Sequence, residues 1–255
     1  MRLRLIRNAT LHLRLAGKCL LVDPMLDPAG ARPPVEETAD PRRNPLVDLP
    51  EPAEVVVKGL HAAIVTHLHR DHLDDTAIEL LPSDLPLFAQ PEDEERLRAH
   101  GFADVRPVQD ALDWDGVRIV RTAGRHGTGR IGELMAPVSG FVIAAEGEPV
   151  LYVAGDTIWC QEVAEAIDVH RPAAIVVNAG AARLLEGDPI VMTADDVVAV
   201  ARHAPEARVV VVHLEAINHC PLTRADLHQR LHDEELTERV TVPEDGAAIP
   251  LGPPG

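Results

Sequence analysis

One short stretch, THLHRDHLD over residues 66–74, constrains the fold of this chain more than any other. It places four side chains that commonly ligate metal ions within six residues: His67, His69, Asp71 and His72. The apolar run 62–65 before it predicts a buried strand, and a helical pattern begins near Asp74. The cluster therefore occupies a loop from a strand end to a helix start, where α/β proteins usually place their chemistry.

The spacing within this loop divides the four side chains into two pairs. In an extended segment His67 and His69 project to the same side, because side chains repeat every two residues along a strand. Asp71 and His72 come after a bend and can face a second point nearby. Imidazole nitrogens and carboxylate oxygens suit Zn²⁺, Mn²⁺ or Fe. The alternative is a histidine-rich loop that follows a buried strand by chance.

Three further candidate ligands stand where other predicted strands end: His126 after 116–122, Asp156 after 150–154 and His213 after 207–212. Taken singly, each is more often a cap or a hydrogen-bonded polar residue than a ligand. With the loop they make seven ligands, enough for two metal ions, and the carboxylate of Asp156 could bridge the two.

The remaining pattern alternates hairpins with βα units. Residues 2–7 and 10–15 alternate in polarity and predict two strands, and Thr193 and Thr223 are predicted helix N-caps. Such units in both halves suggest two sheets with helices outside them. We expect one domain over residues 1–255, with an irregular Pro/Gly-rich tail from 244 to 255.

The segment 24–52 contains eight prolines and predicts neither a helix nor a central strand. A loop of this length is uncommon in a compact domain unless it covers a site or is disordered. We interpret it as a covering segment near the metal cluster, although a merely solvated excursion is an equal alternative.

Composition restricts the choice of partners. The formal net charge of −17 argues against nucleic acid, which requires a cationic surface. No apolar run is long enough to span a membrane, and three cysteines are too few for a disulfide framework. We therefore expect a soluble cytoplasmic protein that acts on a small molecule, with a homo-oligomer possible.

These motifs resemble the metallo-β-lactamase superfamily in their order and spacing: His67-Leu-His69-Arg-Asp71-His72, His126, Gly155-Asp156-Thr157 and His213. The segments 21–24 (LVDP) and 155–157 (GDT) look most like the branch that contains L-ascorbate-6-phosphate lactonase. The resemblance implies an α/β fold of the αββα sandwich type, in which two mixed β-sheets pack face to face with helices on both outer faces.

The same resemblance implies two divalent cations, for which Zn²⁺ is the first choice and Mn²⁺ the second. The first would be held by His67, His69 and His126. The second would be held by Asp71, His72 and His213, with Asp156 between the two. It further implies a hydrolase whose hydroxide, bridged by the cations and steered by Asp71, cleaves a small ester, lactone or phosphoester.

Several residues near these motifs have both a functional and a structural interpretation. His219 is a second candidate for the last ligand, and otherwise a proton donor, a substrate contact or a plain polar residue. Asn218 is a candidate substrate contact or a structural amide. Arg125 and Arg130 flank His126 in a glycine-rich segment that predicts a tight or mobile loop. They could bind an anionic substrate group there, or lie on the surface as ordinary cations. Cys160 and Cys220 could approach the site, although buried inert thiols are more frequent.

Other functions remain possible for such a site. A nucleic-acid-processing nuclease of the same fold is opposed by the acidic charge. A flavo-diiron oxidase usually carries a carboxylate where this chain has His69, and this chain has no room for a flavin domain. A non-catalytic metal-binding protein would be expected to lack a bridging ligand, and none is missing.

Overall fold

Two β-sheets form the centre of the molecule. The structure is a computed structural model, and it describes residues 1–249 and 251. Its strands are β1 (Arg2–Arg7), β2 (Thr10–Leu15), β3 (Lys18–Val22), β4 (Ala62–Val65), β5 (Leu87–Ala89), β6 (Val105–Pro107), β7 (Ala111–Trp114), β8 (Val117–Ala123), β9 (Ser139–Ala145), β10 (Leu151–Val153), β11 (Ala174–Asn178), β12 (Arg208–Val212), β13 (Val240–Thr241) and β14 (Ala248–Ile249).

Helices and one short 3₁₀ turn connect these strands. The helices are α1 (Ala53–Val56), α2 (Asp75–Leu80), α3 (Glu94–Ala99), α4 (Gly129–Met135), α5 (Gln161–His170), α6 (Ala194–His203) and α7 (Arg224–Asp233), and the 3₁₀ turn is Pro91–Asp93. Within the described part of the chain, none of them has both the length and the apolar character to cross a membrane.

The two sheets have the same plan. The first has the order β14-β1-β2-β3-β4-β5-β6, and the second has the order β13-β12-β11-β10-β9-β8-β7. Apart from β14, which pairs antiparallel with β1, the early strands of each sheet pair antiparallel and the later ones parallel. The strands β1–β6 and the late β14 thus form one mixed sheet and β7–β13 the other, with the parallel strands of each buried under helices.

Alternating side chains build three apolar layers around these sheets. In β12, Val210 and Val212 join the core between the sheets, while Val209 and Val211 face the helices outside the second sheet. A third cluster packs α2 and α3 on the outer face of the first sheet. Period-two alternation therefore gives the central strands, such as β4, β11 and β12, two buried faces. The predicted αββα sandwich is confirmed.

Two parts of the chain differ from the sequence prediction. The glycine-rich segment after His126, expected to be a loop, contains α4, because Ile131 and Met135 pack on a small apolar cluster and this packing outweighs the low helix propensity of glycine. Within the tail predicted to be irregular, β14 pairs with β1 and buries Ile249 in the central core. Of that tail, Pro250 and residues 252–255 lie outside the described residues.

Candidate metal centre

The seven predicted ligands lie together at one edge of the two sheets. Each follows the carboxyl end of a strand: the loop 67–72 follows β4, His126 follows β8, Asp156 follows β10 and His213 follows β12. Because the two sheets face each other, loops that are distant in sequence meet at this edge.

The side chains form two groups in which ligand atoms lie within 4.8 Å of one another. The first group contains His67, His69 and His126, and Nε2 of His67 is 2.9 Å from Nδ1 of His69. The second contains Asp71, His72, Asp156 and His213. This division is the one that the family resemblance implied, and the metal-binding role of each residue stays a proposal.

Asp156 lies between the two groups. Its Oδ2 is 3.2 Å from Nε2 of His72 and 3.7 Å from Nε2 of His213, and it is 3.6 Å from Nε2 of His126 in the first group. Its Oδ1 accepts a hydrogen bond of 2.7 Å from Nδ2 of Asn178. One oxygen is thus fixed by an amide while the other faces both groups.

Charges within the second group stabilise one another. Burial opposes protonation of His72, but the carboxylates of Asp156, Asp23 and Asp71 outweigh it and raise the pKa of His72 well above its usual value. Burial likewise opposes ionisation of Asp156, but its histidine neighbours, His72 and His213 first, hold its pKa well below the usual range. In the protein without cations, these residues therefore act as imidazolium–carboxylate pairs.

Two of the histidines are oriented by one buried carboxylate. Nδ1 of His72 donates to Oδ2 of Asp23 at 2.8 Å. The Thr66 hydroxyl donates to the same oxygen at 2.9 Å, and Oγ1 of Thr66 is 3.1 Å from Nδ1 of His67. These contacts leave Nε2 of both rings directed at the ligand groups, which is the usual way that a protein fixes the tautomer of a metal-binding histidine.

The other two buried imidazoles have different partners. Nδ1 of His126 donates to the carbonyl oxygen of Ile190 at 2.8 Å. Nδ1 of His213 lies 3.5 Å from Sγ of Cys220, which places this thiol beside the site. The sequence left the position of Cys220 open, and Cys160 lies elsewhere, with its Sγ 3.6 Å from the Thr157 hydroxyl.

Unusual backbone conformations accompany these contacts. Asp23 and His213 have φ values of 45° and 65°, in the left-handed region that few residues other than glycine adopt. Gly155, with φ of 70°, precedes Asp156, and a Cβ at this position would lie 2.6 Å from the carbonyl oxygen of Ser139. Only glycine fits there, so the Gly-Asp order is a steric requirement of this strand end.

The residues present fit divalent cations. Nε2 of His72 is buried and lies 3.2 Å from the Asp156 carboxylate, but it makes no hydrogen bond of good geometry within the described chain, so a bound cation would satisfy this nitrogen better than the carboxylate does. The donor set consists of imidazole nitrogens and carboxylate oxygens, the set that Zn²⁺ and Mn²⁺ accept in proteins.

A cavity of about 350 Å³ opens over the two groups. Its polar lining is Arg32, Asn44, His69, Arg70, Asp71, His126, Asp156 and His219, and its apolar lining is Pro33, Pro34, Val35, Met135, Leu184, Ile190 and Ile217. The segment 24–52 therefore contributes directly to the cavity wall. The sequence analysis did not predict the apolar residues of the cavity lining. In the local sequence, residues such as Leu184 and Ile217 look the same as residues of the hydrophobic core.

His219 lies in the wall of this cavity and outside both ligand groups. Burial lowers the pKa of His219 to about 4, so its imidazole is neutral near pH 7. His213, directly after β12, occupies the position of the last ligand, and His219 stays a candidate for proton transfer or substrate contact.

The predicted substrate contacts lie elsewhere. The Arg125 side chain is 57% exposed and pairs with Glu162 at 2.8 Å, and Arg130 is exposed on α4. Neither lines the cavity. The structure therefore does not support them as substrate ligands, because the Arg125 guanidinium is engaged on the outer surface.

Asn218 has a structural function in place of the predicted substrate contact. Its Oδ1 accepts from Nδ2 of Asn44 at 2.7 Å and from the backbone N–H of Val35 at 3.0 Å. Its Nδ2 donates to the Thr38 hydroxyl at 2.7 Å and to the Asp40 carbonyl at 2.6 Å. Since these partners occupy the amide, Asn218 fastens segment 24–52 and leaves no group for a substrate.

Comparison with known proteins identifies the family. The family model described as "Beta-lactamase superfamily domain" matches residues 19–214, and these residues include all seven candidate ligands. The chain belongs to this superfamily. As a member of it, the chain is a metal-dependent hydrolase of the metallo-β-lactamase fold.

Three relatives within the superfamily cover nearly the whole chain. The UPF0173 protein YddR of Bacillus subtilis is 39% identical over 244 residues, which are 94% of this chain and 96% of that protein. The crystal structure of a possible metal-dependent hydrolase from Veillonella parvula has a TM-score of 0.94 at 34% identity, with 98% of each chain covered. The isothiocyanate hydrolase from Delia radicum gut bacteria has a TM-score of 0.93 at 35% identity, with 98% of this chain and 99% of that chain covered.

Proposed function

We propose that this enzyme uses two divalent cations, Zn²⁺ or Mn²⁺, to hydrolyse a small and largely uncharged molecule by attack of water on an electrophilic carbon. We propose further that isothiocyanates are the substrate class that fits the site best. One observation carries the proposal: two ligand groups share Asp156 beneath a cavity whose lining, apart from the candidate ligands themselves, is mostly apolar. The cavity size suits a molecule smaller than a typical drug.

The chain's own residues prepare the site for this chemistry. His67, His69 and His126 would hold one cation, and Asp71, His72 and His213 the other, with Asp156 between them. Bound there, the cations supply a hydroxide at neutral pH and polarise the substrate carbon. Asp71 has a carboxylate oxygen 3.2 Å from Nε2 of His213 and lines the cavity, so it can orient the attacking oxygen as well as ligate.

The cavity lining favours an uncharged substrate over a phosphoester. The buried Arg32 already pairs with Asp27 at 2.8 Å, and its Nη1 donates to the Arg70 carbonyl at 2.5 Å. Arg70 lies exposed at the cavity wall and is the one arginine of the described lining that no carboxylate neutralises, whereas phosphate sites usually gather several free donors. The isothiocyanate hydrolase, at 35% identity, supports the same class.

Hydrolysis of an isothiocyanate needs no co-reactant other than water. Water adds to the central carbon of R–N=C=S and gives a monothiocarbamate, whose C–N bond then breaks to release the amine R–NH₂ and carbonyl sulfide. The nitrogen takes up the proton that the S–H or O–H group of this monothiocarbamate gives up as the C–N bond breaks. We propose His219 as the residue that relays this proton, since its neutral ring lies in the cavity wall and can accept the proton and pass it on.

Two further expectations belong to this proposal. The substrate is the small-molecule partner expected from the sequence, and no nucleic acid is involved. All three cysteines are free thiols, which supports a reducing, cytoplasmic location.

The test is metal analysis followed by a substrate comparison. Protein purified without added metal is loaded with Zn²⁺ or Mn²⁺, and hydrolysis of allyl and benzyl isothiocyanate is compared with that of a lactone, a carboxylic ester and a phosphodiester. We expect two cations per chain and the highest kcat/KM for the isothiocyanates.

The Asp156→Asn variant should lose activity by about 100-fold or more while its circular dichroism stays unchanged. The Arg125→Ala variant is the matched control, because that side chain lies outside the cavity, and its kcat/KM should match that of the wild type. A higher kcat/KM for a lactone or a phosphodiester would overturn the substrate class. Fewer than two cations with no hydrolysis would overturn the dinuclear mechanism.

A further inference from the structure

The turn between β1 and β2 carries a buried asparagine beside the metal centre. Asn8 is 1% exposed, and its φ of 57° lies in the left-handed region. Asparagine tolerates this conformation better than most residues, so the residue type fits the turn. The turn itself would not require burial of a polar side chain.

Asn8 contacts two residues of the second ligand group through different atoms. Its Nδ2 donates to the carbonyl oxygen of Asp71 at 3.1 Å. Its own carbonyl oxygen accepts from the backbone N–H of His213 at 3.0 Å. Neither contact was indicated by the sequence, because Asn8 lies 63 residues before Asp71 and far from His213.

The two contacted residues come from different sheets. Asp71 follows β4 of the first sheet, and His213 follows β12 of the second. Their ligand atoms nevertheless lie 3.2 Å apart, so the second group depends on the alignment of the two sheets at this point. Asn8 connects the backbones of both residues and thereby sets the distance between them.

Asn8 also retains an unsatisfied acceptor. Its Oδ1 is buried and accepts no hydrogen bond from any described residue. A buried polar atom without a partner lowers stability, so a residue chosen for packing alone would be apolar or small. The hydrogen bond from Nδ2 to the Asp71 backbone therefore explains why this buried position holds an amide side chain.

We propose that Asn8 is a positioning residue for the second cation, which it affects through Asp71 and His213 without ligating. This inference rests on the two-cation site of the proposed function. It makes a selective prediction, because Asn8 makes no hydrogen bond to His67, His69 or His126 of the first group. Loss of the amide should weaken the binding of the second cation and leave the binding of the first unchanged.

The decisive variant is Asn8→Gly. Glycine accepts the positive φ and keeps the carbonyl that binds His213, so the change removes only the amide contact to Asp71. In competition with a chromophoric chelator, we expect the second Zn²⁺ to bind about 10- to 100-fold more weakly, the effect typical for residues that orient metal ligands, with the first unchanged. Asn8→Asp, which keeps the size but replaces the donor with an acceptor opposite the Asp71 carbonyl, should weaken the second cation at least as much.

Gln90 provides the matched control. It is 1% exposed, and its Nε2 donates to Asp93 and to the Pro137 carbonyl, so Gln90→Ala removes a buried amide without touching either ligand group. This variant should bind both cations as the wild type does. Circular dichroism of all variants identifies any loss of folding, which would release both cations together.

The outcomes separate this inference from the proposed function. Two cations of unchanged affinity in folded Asn8→Gly or Asn8→Asp protein would overturn the role of Asn8 and leave the dinuclear site standing. Equal weakening of both cations would also overturn it, since the effect would not be selective. A wild type that binds only one cation would overturn the proposed mechanism and this inference with it.

Discussion

Sγ of Cys220 lies 3.5 Å from Nδ1 of His213, so the imidazole that follows β12 is backed by a thiol and not by a carboxylate or carbonyl. Sulfur is a weak hydrogen-bond acceptor, and burial raises the pKa of the Cys220 thiol, so it stays protonated at neutral pH. His213 is therefore less firmly oriented than His72, whose Nδ1 donates to a buried carboxylate.

We predict that Cys220→Ala lowers the affinity for the second cation by less than about 10-fold, which is the lower end of the effect expected for residues that hydrogen-bond to metal ligands. Metal affinity measured against a chelator at fixed pH tests this. Gly180 packs against the thiol, since a Cβ on it would lie 2.7 Å from Sγ, so the smaller alanine fits without strain. Loss of the second cation altogether would contradict this weak orienting role of the thiol.

Asp23→Asn should have a larger effect on the same site. Asp23 is 1% exposed and accepts hydrogen bonds from His72, from the Thr66 hydroxyl and from the Thr66 backbone N–H. An amide cannot accept all three, so we expect the second cation to bind about 10- to 100-fold more weakly. The free energy of unfolding should also fall by about 1–3 kcal/mol, the cost of a buried donor left unpaired. Chelator competition and urea denaturation measure the two effects, and affinity equal to that of Cys220→Ala would contradict the proposed ranking.

Asn218→Ala should loosen segment 24–52 and leave the ligand groups intact. The amide fastens this segment through Asn44, Val35, Thr38 and Asp40, and Asn44 and Val35 line the cavity. We expect a several-fold rise in KM, unchanged metal stoichiometry and faster proteolysis within 24–52. An unchanged rate of proteolysis would show that other contacts hold the segment.

Stability of the protein without cations should decrease as pH rises. Carboxylate neighbours outweigh burial and raise the pKa of His72 and of His213 well above 6.5, the value used for the unfolded chain. A raised pKa contributes stability that is fully present below pH 6.5 and is lost as pH rises through the folded value. Urea denaturation in the presence of chelator, between pH 6.5 and 9, should therefore give a falling free energy of unfolding.

Cation-loaded protein should show the opposite trend over the same range. Cations compete with protons for the same nitrogens, so their affinity and the stability they contribute increase with pH. A flat or rising profile in the chelated protein would show that these histidines are neutral there.

Local patterns in the sequence indicated the candidate ligands. Buried strands appear as apolar runs, and the residue that follows a run is known from the sequence alone, so His126, Asp156 and His213 could be predicted beside the loop 67–72. The same reasoning predicted two sheets with helices outside them, since strand and helix periods depend on neighbours close in the chain, and the family resemblance implied the αββα order.

Only the tertiary structure decided what surrounds those ligands. Asn8 meets His213 across the whole length of the chain, Asn218 binds Asn44 over 174 positions, and Cys220 becomes the partner of His213 through a reversal of the backbone. An asparagine in a loop looks the same in sequence whether it faces a substrate or another segment. The packing of the two sheets against each other decides which partner the asparagine has. That packing depends on many contacts between residues distant in sequence, and no single stretch of the sequence contains them.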